Sequence, residues 1–443
     1  MRSPAAPGRL TERDRLPLAL RAYEFVGSAA APLAPRLLAR RLARGKEDAA
    51  RLGERYGEAT LQRPPGPLIW IHGASVGEML AVIPLIARIR AQDFAVLVTS
   101  GTVTSAALAA QRLPKGVLHQ FIPLDAPRFV GRFLDHWQPD LALFVESDLW
   151  PNLIAANARR SIPMILVNGR VSKRSFDRWR LLPGAIASLL RRFDLCLAQS
   201  SADADRYAQL GAPRVTYVGN LKLDVPAPPV DQVAFDKLKD MIGSRIVLAA
   251  ASTHGDEETT IIASHRRLRA KFPSLLTVIA PRHPQRGPSI AEIATVAGLK
   301  AALRSRDELP EADVDVYIAD TLGELGLIYR LAPIVFMGGS LTSHGGQNPI
   351  EAVKLGAAVL HGPHVWNFAE IYAALDETHG AELVADEEAL TDHLAAWLAK
   401  PASRAVVAQA AIATIGKLGG ALERTLSAIE PYLLQLRLEQ RAS

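Results

Sequence analysis

The sequence predicts an α/β protein that consists of two doubly wound lobes. From about residue 66, short apolar runs alternate with longer stretches of helical periodicity, and the alternation occurs in two series. A proline-rich stretch, Val225–Asp231 (VPAPPVD), separates the two series. Near-continuous apolar strands that alternate with helices are typical of parallel sheets covered on both faces.

Each series contributes a set of predicted strands. The first set is Leu68–Ala74, Ala95–Ser100, Leu141–Glu146, Met164–Asn168, Leu195–Ser200 and Val215–Gly219. The second set is Ile246–Ala251, Leu276–Ala280, Val316–Ala319, Ile334–Met337, Ala358–His361 and Leu383–Ala385. Since ligands of such sheets bind at the carboxyl ends of the strands, we expect the site in a central cleft that the two lobes face.

Composition excludes several classes of protein. The chain has 443 residues, of which 49% are hydrophobic and 22% are charged, so a disordered or coiled-coil protein is not expected. Its single cysteine, Cys196, rules out an internal disulfide and a cysteine-based zinc site.

The charge is concentrated at the N-terminus. Residues 1–60 hold twelve Arg and Lys against seven Asp and Glu, a net charge of +5 out of the total of +6. A nearly neutral remainder does not predict a nucleic-acid groove, so we expect no nucleic-acid partner.

The N-terminal segment does not have the pattern of a membrane-spanning helix. Its longest uncharged stretch, Phe25–Pro35, is shorter than the roughly 20 residues that a span requires, and prolines interrupt it. Arg36, Arg40 and Arg44 follow at helical spacing on one face. This face is typical either of a peripheral anchor on an anionic membrane or of a solvated amphipathic helix.

The first chemical cluster is Trp70–Glu78 (WIHGASVGE), where an apolar strand leads into a helix. Glycines at such a turn allow close approach of a ligand, and a helix N-terminus favours an anion. Glu78 is therefore either a general base at the strand end or an ordinary first-turn carboxylate. Because the turn is not G-x-G-x-x-G, it gives little support for a dinucleotide site.

The second cluster is Phe144–Asn152 (FVESDLWPN), which follows another apolar strand. Glu146 and Asp148 lie at the strand end where sites form, together with Trp150. The alternative interpretation is that Asp148 only caps the next helix.

Two further clusters complete the first lobe. Asn168–Ser175 is a basic, hydroxyl-rich strand end that suits a phosphorylated or carboxylated ligand. Gly219–Asp224 places Lys222 just before the proline-rich stretch, where a lysine is either part of the site or simply on the surface.

The second lobe has the pattern of a nucleotide-binding lobe. Arg282 follows one strand, and Asp320–Glu324 follows the next and begins a helix. Gly338–Ser340 follows a third strand, and His344–Glu351 leads into a helix with Asn348 and Pro349 suited to N-cap and N1. Backbone N–H groups of such glycine-rich helix starts can hold a phosphate, and Glu351 can accept hydrogen bonds from ribose.

No metal or cofactor is expected. The eleven histidines show no H-x₃-H or H-E-x-x-H spacing, and His72 is interpreted as a satisfied core residue. Neither a Walker A motif nor a G-x-S-x-G elbow occurs.

In this order, the clusters resemble the 3-deoxy-D-manno-octulosonic acid (Kdo) transferases of Gram-negative bacteria. The matching stretches span residues 70–368 and are WIHGASVGE, VTSGTVTSA, FVESDLWPNLI, LVNGRVS, GNLKLD, PRHPQRG, DTLGELGLIY, FMGGSLTSHGGQNPIEA and GPHVWNF.

The resemblance implies a B-type glycosyltransferase fold with two Rossmann-like lobes. It implies inverting, metal-independent transfer of Kdo from CMP-Kdo to the lipid A precursor (lipid IVA) in lipopolysaccharide core biosynthesis. It places the general base on Glu78 and the family's other catalytic residues on Glu146 and Lys222. It places the CMP contacts on Pro281, Arg282, Leu322, Gly323, Glu324, Asn348, Pro349, Ile350 and Glu351.

The resemblance also gives each part of the chain an expected role. The expected parts are a basic membrane-associating segment (1–50), an acceptor-binding lobe (51–225), a linker (226–240), a CMP-binding lobe (241–415) and a C-terminal helix that packs back toward the first lobe (416–443). The expected location is the cytoplasmic side of the bacterial inner membrane. Many family members have a more hydrophobic N-terminal anchor, and this departure argues against a membrane span there but not against surface association.

Three alternatives remain open at this point. A hexosamine epimerase of the same fold would bind a uridine nucleotide and no lipid. A nicotinamide-dependent oxidoreductase would require the dinucleotide fingerprint, which is incomplete here. A non-enzymatic membrane-associated binding protein would not require glutamate, arginine and lysine at so many strand ends.

Overall fold

A computed structural model describes residues 16–442. Contacts divide the chain into two compact units: one extends to Val225 and is completed by the segment from Gly419, and the other is Pro226–Leu418. The first unit thus includes the helices before residue 51 that we expected as a separate segment. The expected linker, 226–240, lies in the second unit and contains most of a helix. The part of the N-terminal segment before residue 16 lies outside the described residues.

Each unit contains one seven-stranded sheet in which all pairs of neighbouring strands are parallel, as predicted. The strands of the first sheet are β1 (Leu68–His72), β2 (Ala95–Ser100), β3 (Leu118–Phe121), β4 (Leu141–Val145), β5 (Met164–Gly169), β6 (Leu195–Ala198) and β7 (Val215–Tyr217). Those of the second are β8 (Ile246–Thr253), β9 (Leu275–Pro281), β10 (Ala301–Leu303), β11 (Val316–Ile318), β12 (Ile334–Met337), β13 (Ala358–His361) and β14 (Ala381–Leu383).

Each sheet has a switch point next to its first strand, where the order of strands reverses, and in the second sheet β11 also lies between β10 and β9. The orders are β3-β2-β1-β4-β5-β6-β7 and β10-β11-β9-β8-β12-β13-β14. The reversals therefore lie between β1 and β4 in the first sheet and between β8 and β12 in the second. In doubly wound sheets, ligands bind outside the carboxyl ends of the two strands at this switch point.

The helices, in chain order, connect the strands or flank the sheets. They are α1 (Leu18–Ala30), α2 (Ala34–Leu42), α3 (Leu52–Arg55), α4 (Val76–Arg90), α5 (Val103–Arg112), α6 (Pro127–Trp137), α7 (Pro151–Arg159), α8 (Lys173–Trp179), α9 (Pro183–Leu190), α10 (Ser201–Gln209), α11 (Gln232–Ile242), α12 (Gly255–Arg269), α13 (Gly287–Val296), α14 (Leu325–Leu331), α15 (Ile350–Lys354), α16 (Ala369–Glu377), α17 (Glu387–Ala399), α18 (Pro401–Leu418) and α19 (Ala421–Ala442).

Both faces of the first sheet are buried. In β1, Leu68 and Trp70 pack into one apolar core, whereas Ile69 and Ile71 pack into the core on the opposite face. Side chains alternate between faces along a strand, so a strand that is covered on both sides is apolar throughout. This is the physical reason that an uninterrupted apolar run predicted a parallel strand.

Two strands were not predicted, β3 and β10. Each lies at the edge of its sheet, where one strand neighbour is missing. β3 has the sequence LHQF with two polar residues, and β10 has only three residues. Neither forms an apolar run long enough to stand out from its surroundings.

One stretch, Pro401–Arg441, is long and apolar enough to cross a membrane by length and composition. It consists of α18 and α19, which the pair Gly419–Gly420 separates. α18 packs Val407 and Ala408 into the core of the second unit, whereas α19 packs five apolar residues into a core of the first: Ala421, Leu426, Ile429, Leu433 and Leu436. Both helices thus serve the cores of the protein.

Candidate active site

The turn after β1 holds the carboxylate of Glu78 in one place. Ser75 is the N-cap of α4, and its Oγ donates to Glu78 Oε1 at 2.9 Å. The backbone N–H of Ala74 donates to Glu78 Oε2 at 2.7 Å. The side chain therefore folds back over the turn, as in a capping box, and lies at the carboxyl end of β1. Both interpretations of Glu78 from the sequence fit this geometry, since a residue that caps the turn also presents its carboxylate at the strand end.

The turn after β4 contains a buried ion pair. Glu146 follows the strand directly, with 8% of its surface exposed. Lys222 Nζ donates to its Oε1 at 2.6 Å, across 76 residues of sequence. Lys222 is consequently not an ordinary surface lysine, because only 18% of its side chain is exposed.

The backbone of Glu146 is strained. Its φ is 60°, in the left-handed region that non-glycine residues rarely adopt. The Tyr207 hydroxyl, which is fully buried, donates to the Glu146 carbonyl at 3.1 Å and helps to hold this conformation. Strained residues that neighbours hold in place are concentrated at functional sites.

Asp148 does not cap α7. Its Oδ2 lies 3.3 Å from Nε2 of the buried His72, and the imidazole Nδ1 lies 2.9 Å from Thr99 Oγ1. Burial raises the pKa of Asp148, but the contacts with His72 and Trp150 outweigh it and leave the pKa below its ordinary value. His72 is thus a core residue that also orients a carboxylate of the site.

The cap of α7 comes from a residue that we did not predict. The Asp125 carboxylate accepts the N–H groups of Asn152 at 3.1 Å and Leu153 at 2.9 Å. Asp125 also contacts Tyr23 of α1, and burial raises its pKa to about 6. No local pattern identifies it, because it lies 27 residues before the helix that it caps.

Lys222 is held in place by two neighbouring amides. Asn168, fully buried at the end of β5, accepts the Leu221 N–H at 2.9 Å through its Oδ1. Asn220 accepts the Lys222 N–H at 3.0 Å. The motif that begins at Asn168, which suggested a phosphorylated or carboxylated ligand, thus contributes at least one residue that supports the turn carrying Lys222.

Asp224 connects the same turn to the last helix. Its carboxylate accepts the N–H groups of Gly420 at 2.7 Å and Leu422 at 2.6 Å. The start of α19 is therefore held against the turn that carries Lys222, within the first unit.

The carboxylates of this site have different proton affinities. Burial raises the pKa of Glu78, and the charges of Glu146 and Asp148 raise it further, against the opposing hydrogen bonds from Ser75 and Ala74. Environments that separate the pKa values of neighbouring carboxyl groups are a mark of acid–base sites. Glu78 is the group of this site whose environment strengthens it as a base.

In the second unit, an open pocket lies at the carboxyl ends of β8, β9 and β11. It brings together five of the predicted nucleotide-binding residues: Pro281, Arg282, Leu322, Gly323 and Glu324. Ser252, Ala280, Ala319, Thr321, Leu325 and Ile328 complete its lining. Leu322 presents an apolar side chain at this pocket, with 75% of its surface exposed.

Glu324 has a partner at one side of this pocket. Arg304 donates to both of its carboxylate oxygens, at 2.8 and 2.5 Å. This contact outweighs burial and lowers the pKa of Glu324. Glu324 therefore stays ionised, with its charge balanced by Arg304.

The Gly338–Ser340 turn, one of the strand ends that suggested a nucleotide, directs its backbone N–H groups at a side chain of the protein. The N–H groups of Gly339, Ser340 and Leu341 donate to Glu257 at 2.7, 2.9 and 3.0 Å. Glu257 also accepts the His254 N–H at 3.0 Å and is almost fully buried. A carboxylate of the protein itself thus occupies the donors that a phosphate would need.

The other predicted contacts, Asn348, Pro349, Ile350 and Glu351, are not part of the pocket lining. The helix α15 begins at Ile350, one residue later than predicted, with Pro349 as N-cap. Asn348 nevertheless caps it, since its Oδ1 accepts the Ile350 N–H at 3.1 Å. Glu351 is half-buried, and burial raises its pKa.

Comparison with known proteins identifies the family. The family model described as 3-deoxy-D-manno-octulosonic-acid transferase (kdotransferase) matches residues 50–225. The chain is 36% identical over 391 residues to the 3-deoxy-D-manno-octulosonic acid transferase of Haemophilus influenzae, covering 86% of this chain and 91% of that protein. The enzyme of the same name from Bordetella pertussis is 37% identical over 393 residues, with the same coverage.

The chain belongs to the 3-deoxy-D-manno-octulosonic acid transferase family. The resemblance found in the sequence is thereby confirmed.

Solved structures support the fold of this Kdo transferase family member. A glycosyltransferase from Rickettsia africae aligns with a TM-score of 0.58 at 12% identity, covering 84% of this chain and 99% of that one. The UDP-GlcNAc 2-epimerase of Neisseria meningitidis aligns with a TM-score of 0.57 at 15% identity, covering 83% and 100%. The predicted B-type glycosyltransferase fold, with two Rossmann-like units, is confirmed.

Proposed function

We propose that this Kdo transferase family member transfers Kdo from CMP-Kdo to a sugar hydroxyl of the lipid A precursor, with inversion. The first unit carries the acceptor and the general base in this proposal, and the second unit carries the donor nucleotide. The observation that supports the reaction most directly is the carboxylate of Glu78, which is fixed at the switch point of the first sheet with a raised pKa.

Glu78 acts as the general base. Its carboxylate takes the proton of the acceptor hydroxyl while that oxygen forms a bond to the anomeric carbon of Kdo. The bond from this carbon to the phosphate oxygen breaks, and CMP leaves with the electron pair. Attack opposite to the leaving group inverts the configuration. A positioned base contributes about 10²–10⁴-fold to such a reaction.

Lys222 and Glu146 provide the charges beside the base. The Lys222 ammonium lies 2.6 Å from Glu146 and faces the Kdo carboxylate or the negative charge that develops during transfer in our proposal. The strained backbone of Glu146 and the amides around Lys222 keep both groups in place before substrate binds. Such preorganisation avoids the reorganisation that charge stabilisation in water requires.

The second unit holds the nucleotide. The cytidine lies in the pocket that Pro281, Leu322 and Gly323 line, with the exposed Leu322 as its apolar contact. Arg282 extends from the end of β9 with an exposed side chain that is suited to an anionic group. Asn348 to Glu351 contribute contacts from the start of α15 in this proposal.

The reaction requires no metal ion in this proposal. Glu146 is paired with Lys222, Asp148 contacts His72, and Glu78 is bonded to its own turn. Within residues 16–442, no group of three or more His, Cys, Asp and Glu side chains is arranged to hold a metal. Chelation with EDTA should leave turnover unchanged, whereas a loss that Mg²⁺ or Mn²⁺ restores would refute metal independence.

The N-terminal helices place the enzyme on the cytoplasmic face of the inner membrane. Phe25, Val26 and Leu37 of α1 and α2 have 73%, 61% and 50% of their surfaces exposed. Arg36 and Arg40 are exposed on α2 beside them, as the helical spacing predicted, and Arg44 is exposed just after its end. Apolar side chains next to arginines suit the surface of an anionic bilayer.

Liposome flotation tests this location. Arg36→Glu combined with Arg40→Glu should reduce binding to vesicles that contain anionic lipid. As a control, Arg266→Glu combined with Arg306→Glu changes the net charge equally at exposed positions of the second unit. Equal loss in both double variants would mean that net charge alone, and not this surface, determines membrane binding.

The reaction itself is tested with a tetraacylated lipid A precursor and CMP-Kdo generated in situ. Mass spectrometry should detect the lipid shifted by one or more Kdo units. Glu78→Gln should reduce turnover about 10²–10⁴-fold while CMP still protects the protein against thermal unfolding. The matched control is Glu430→Gln, at an exposed position of α19 in the same unit.

Each outcome of this experiment has a definite meaning. An unshifted lipid in a preparation that CMP protects would refute the acceptor and retain the nucleotide. An unshifted lipid without CMP protection would refute the transferase proposal. Loss of CMP protection in Glu78→Gln alone would give Glu78 a structural role.

A further inference from the structure

Three histidines meet at the switch point of the second sheet. His254 follows β8, His283 follows β9, and His344 lies in the loop after β12. The rings of His254 and His344 are stacked, with centroids 3.8 Å apart and an angle of 13° between their planes. The His283 ring is edge-on to His254 at 6.0 Å. Arg282 immediately precedes His283 and also lines the pocket.

His344 Nδ1 lies 2.9 Å from Thr342 Oγ1, but His254 does not have the pair of hydrogen bonds that a structural histidine makes. His361 illustrates the structural case, since its Nδ1 contacts Gly362 O at 2.8 Å and its Nε2 contacts Asp376 at 2.9 Å. His254 Nε2, by contrast, is buried without a hydrogen-bond partner among the described residues. A buried polar atom without a partner is costly, and in a functional site it commonly receives a ligand atom.

The charges around His254 favour an anion. The groups that face it are His344, Glu257, His283 and Arg282. Burial and the neighbouring cationic groups together lower the pKa of His254, although Glu257 opposes them. Four backbone N–H groups already occupy Glu257, and Arg282 forms no ion pair within residues 16–442. Unliganded His254 therefore resists protonation, and an oxyanion placed at its Nε2, at the edge of the stacked rings, would reverse this.

We propose that His254, His283 and His344, together with Arg282, bind the phosphate of the donor nucleotide and take up a proton when it binds. The inference rests on the proposed function, which brings CMP to the adjacent pocket. The histidines and Arg282 then bind the phosphate in place of the Gly339 and Ser340 N–H groups, which Glu257 occupies. Because the imidazoles gain the proton only with the anion present, affinity for CMP falls as pH rises from 6 to 8.

Isothermal titration calorimetry on the full chain measures this proton directly. CMP is titrated at pH 7 in PIPES, HEPES and Tris, whose ionisation heats differ, so that the slope of enthalpy against ionisation heat gives the protons taken up. Cytidine, which lacks the phosphate, is the matched ligand and should take up none. The phosphate of CMP titrates near pH 6 itself and accounts for part of the uptake, so the part assigned to the histidine site is what the histidine variants lose.

Variants of single histidines distinguish the contribution of the cluster to CMP binding from that of the rest of the pocket. His283→Gln and His344→Gln should each weaken CMP binding about tenfold to hundredfold, as loss of a charge-assisted hydrogen bond does. Both should reduce the proton uptake and leave cytidine binding unchanged. His379→Asn, at an exposed position of the same unit with a φ of 51° that asparagine tolerates, is the control and should change neither quantity.

The failure of this inference differs from failure of the proposed function. If CMP binds and its proton uptake is unchanged in both variants, or if cytidine takes up the same proton, the histidines do not hold the phosphate. If neither CMP nor cytidine binds to the wild-type chain, the proposed function fails, and this inference fails with it. If one variant also loses cytidine binding, its pocket is disrupted and it gives no information on the phosphate. The other variant then provides the test.

Discussion

Replacing Glu257 with glutamine tests whether this carboxylate holds the second unit together. Glu257 Oε1 accepts the N–H groups of Ser340 and Leu341, and Oε2 accepts those of His254 and Gly339. Glutamine is nearly the same size, but one of its terminal atoms is an NH₂ group. Two of the four backbone donors would then face another donor.

The expected cost follows from the number of donors that lose their acceptor. Each unsatisfied buried group costs about 1–3 kcal/mol, so two of them should lower the free energy of unfolding by about 2–6 kcal/mol. At about 2–4 °C per kcal/mol for a unit of this size, the melting temperature should fall by at least about 4 °C. Loss of the charge adds to this effect, because hydrogen bonds to a charged acceptor are the stronger ones.

Thermal unfolding followed by circular dichroism, with urea unfolding as a second measurement, checks this value. Glu388→Gln is the matched control, since Glu388 also lies in the first turn of a helix, α17, but is exposed. It should melt within about 1 °C of the wild type. An equally small change in Glu257→Gln would mean that water or backbone adjustment satisfies the donors, and the reasoning from burial would be wrong.

Two further predictions concern the site of the first unit and the close contact between β8 and β12. In the pH profile of kcat/KM, the acidic limb should move to lower pH in Glu146→Gln, because a negative charge that raises the pKa of Glu78 is removed. It should move to higher pH in Lys222→Met, which leaves that charge unbalanced, and a shift in the same direction in both variants would contradict the assignment of Glu78 as base. Gly338→Ala should lower the free energy of unfolding by about 1–3 kcal/mol, since an added Cβ would lie 2.5 Å from the Ser252 carbonyl oxygen. The control is Gly131→Ala, where an added Cβ would have nothing within 4 Å. Equal melting temperatures of the two variants would contradict the prediction.

Much of the fold could be predicted from the sequence because buried parallel strands have a strong local signal. The central strands are mostly apolar, as burial on both faces requires, with polar residues such as His72 and Asn168 near their carboxyl ends. The edge strands β3 and β10 were missed because an edge position tolerates polar residues such as His119 and Gln120, and because three residues are too few for a pattern. The apolar sequence pattern is therefore weaker in these edge strands than in the central strands, which are buried on both faces.

The sequence predicted which strand ends carry the residues of the site. It did not predict which of these residues contact one another. Glu146 and Lys222 were each identified, but nothing in either motif indicates a contact across 76 residues. Glu257, which lies 82 residues before Gly339, was not considered, and so the side chain that the Gly338–Ser340 turn binds was not predicted. A glycine-rich turn has the same sequence pattern whether its N–H groups bind a ligand or a buried side chain.

The order of strands explains why the acidic groups of the first unit act together. Glu78 follows β1 and Glu146 follows β4, strands that are neighbours only because the order reverses between them. Two of the three carboxylates there have a compensating partner, since Lys222 pairs with Glu146 and His72 contacts Asp148. Glu78 accepts hydrogen bonds from its own turn but forms no ion pair within residues 16–442, and burial together with the repulsion of the other two raises its pKa. The topology thus brings the three groups together, and the partners decide which of them has the raised pKa that suits the base we propose.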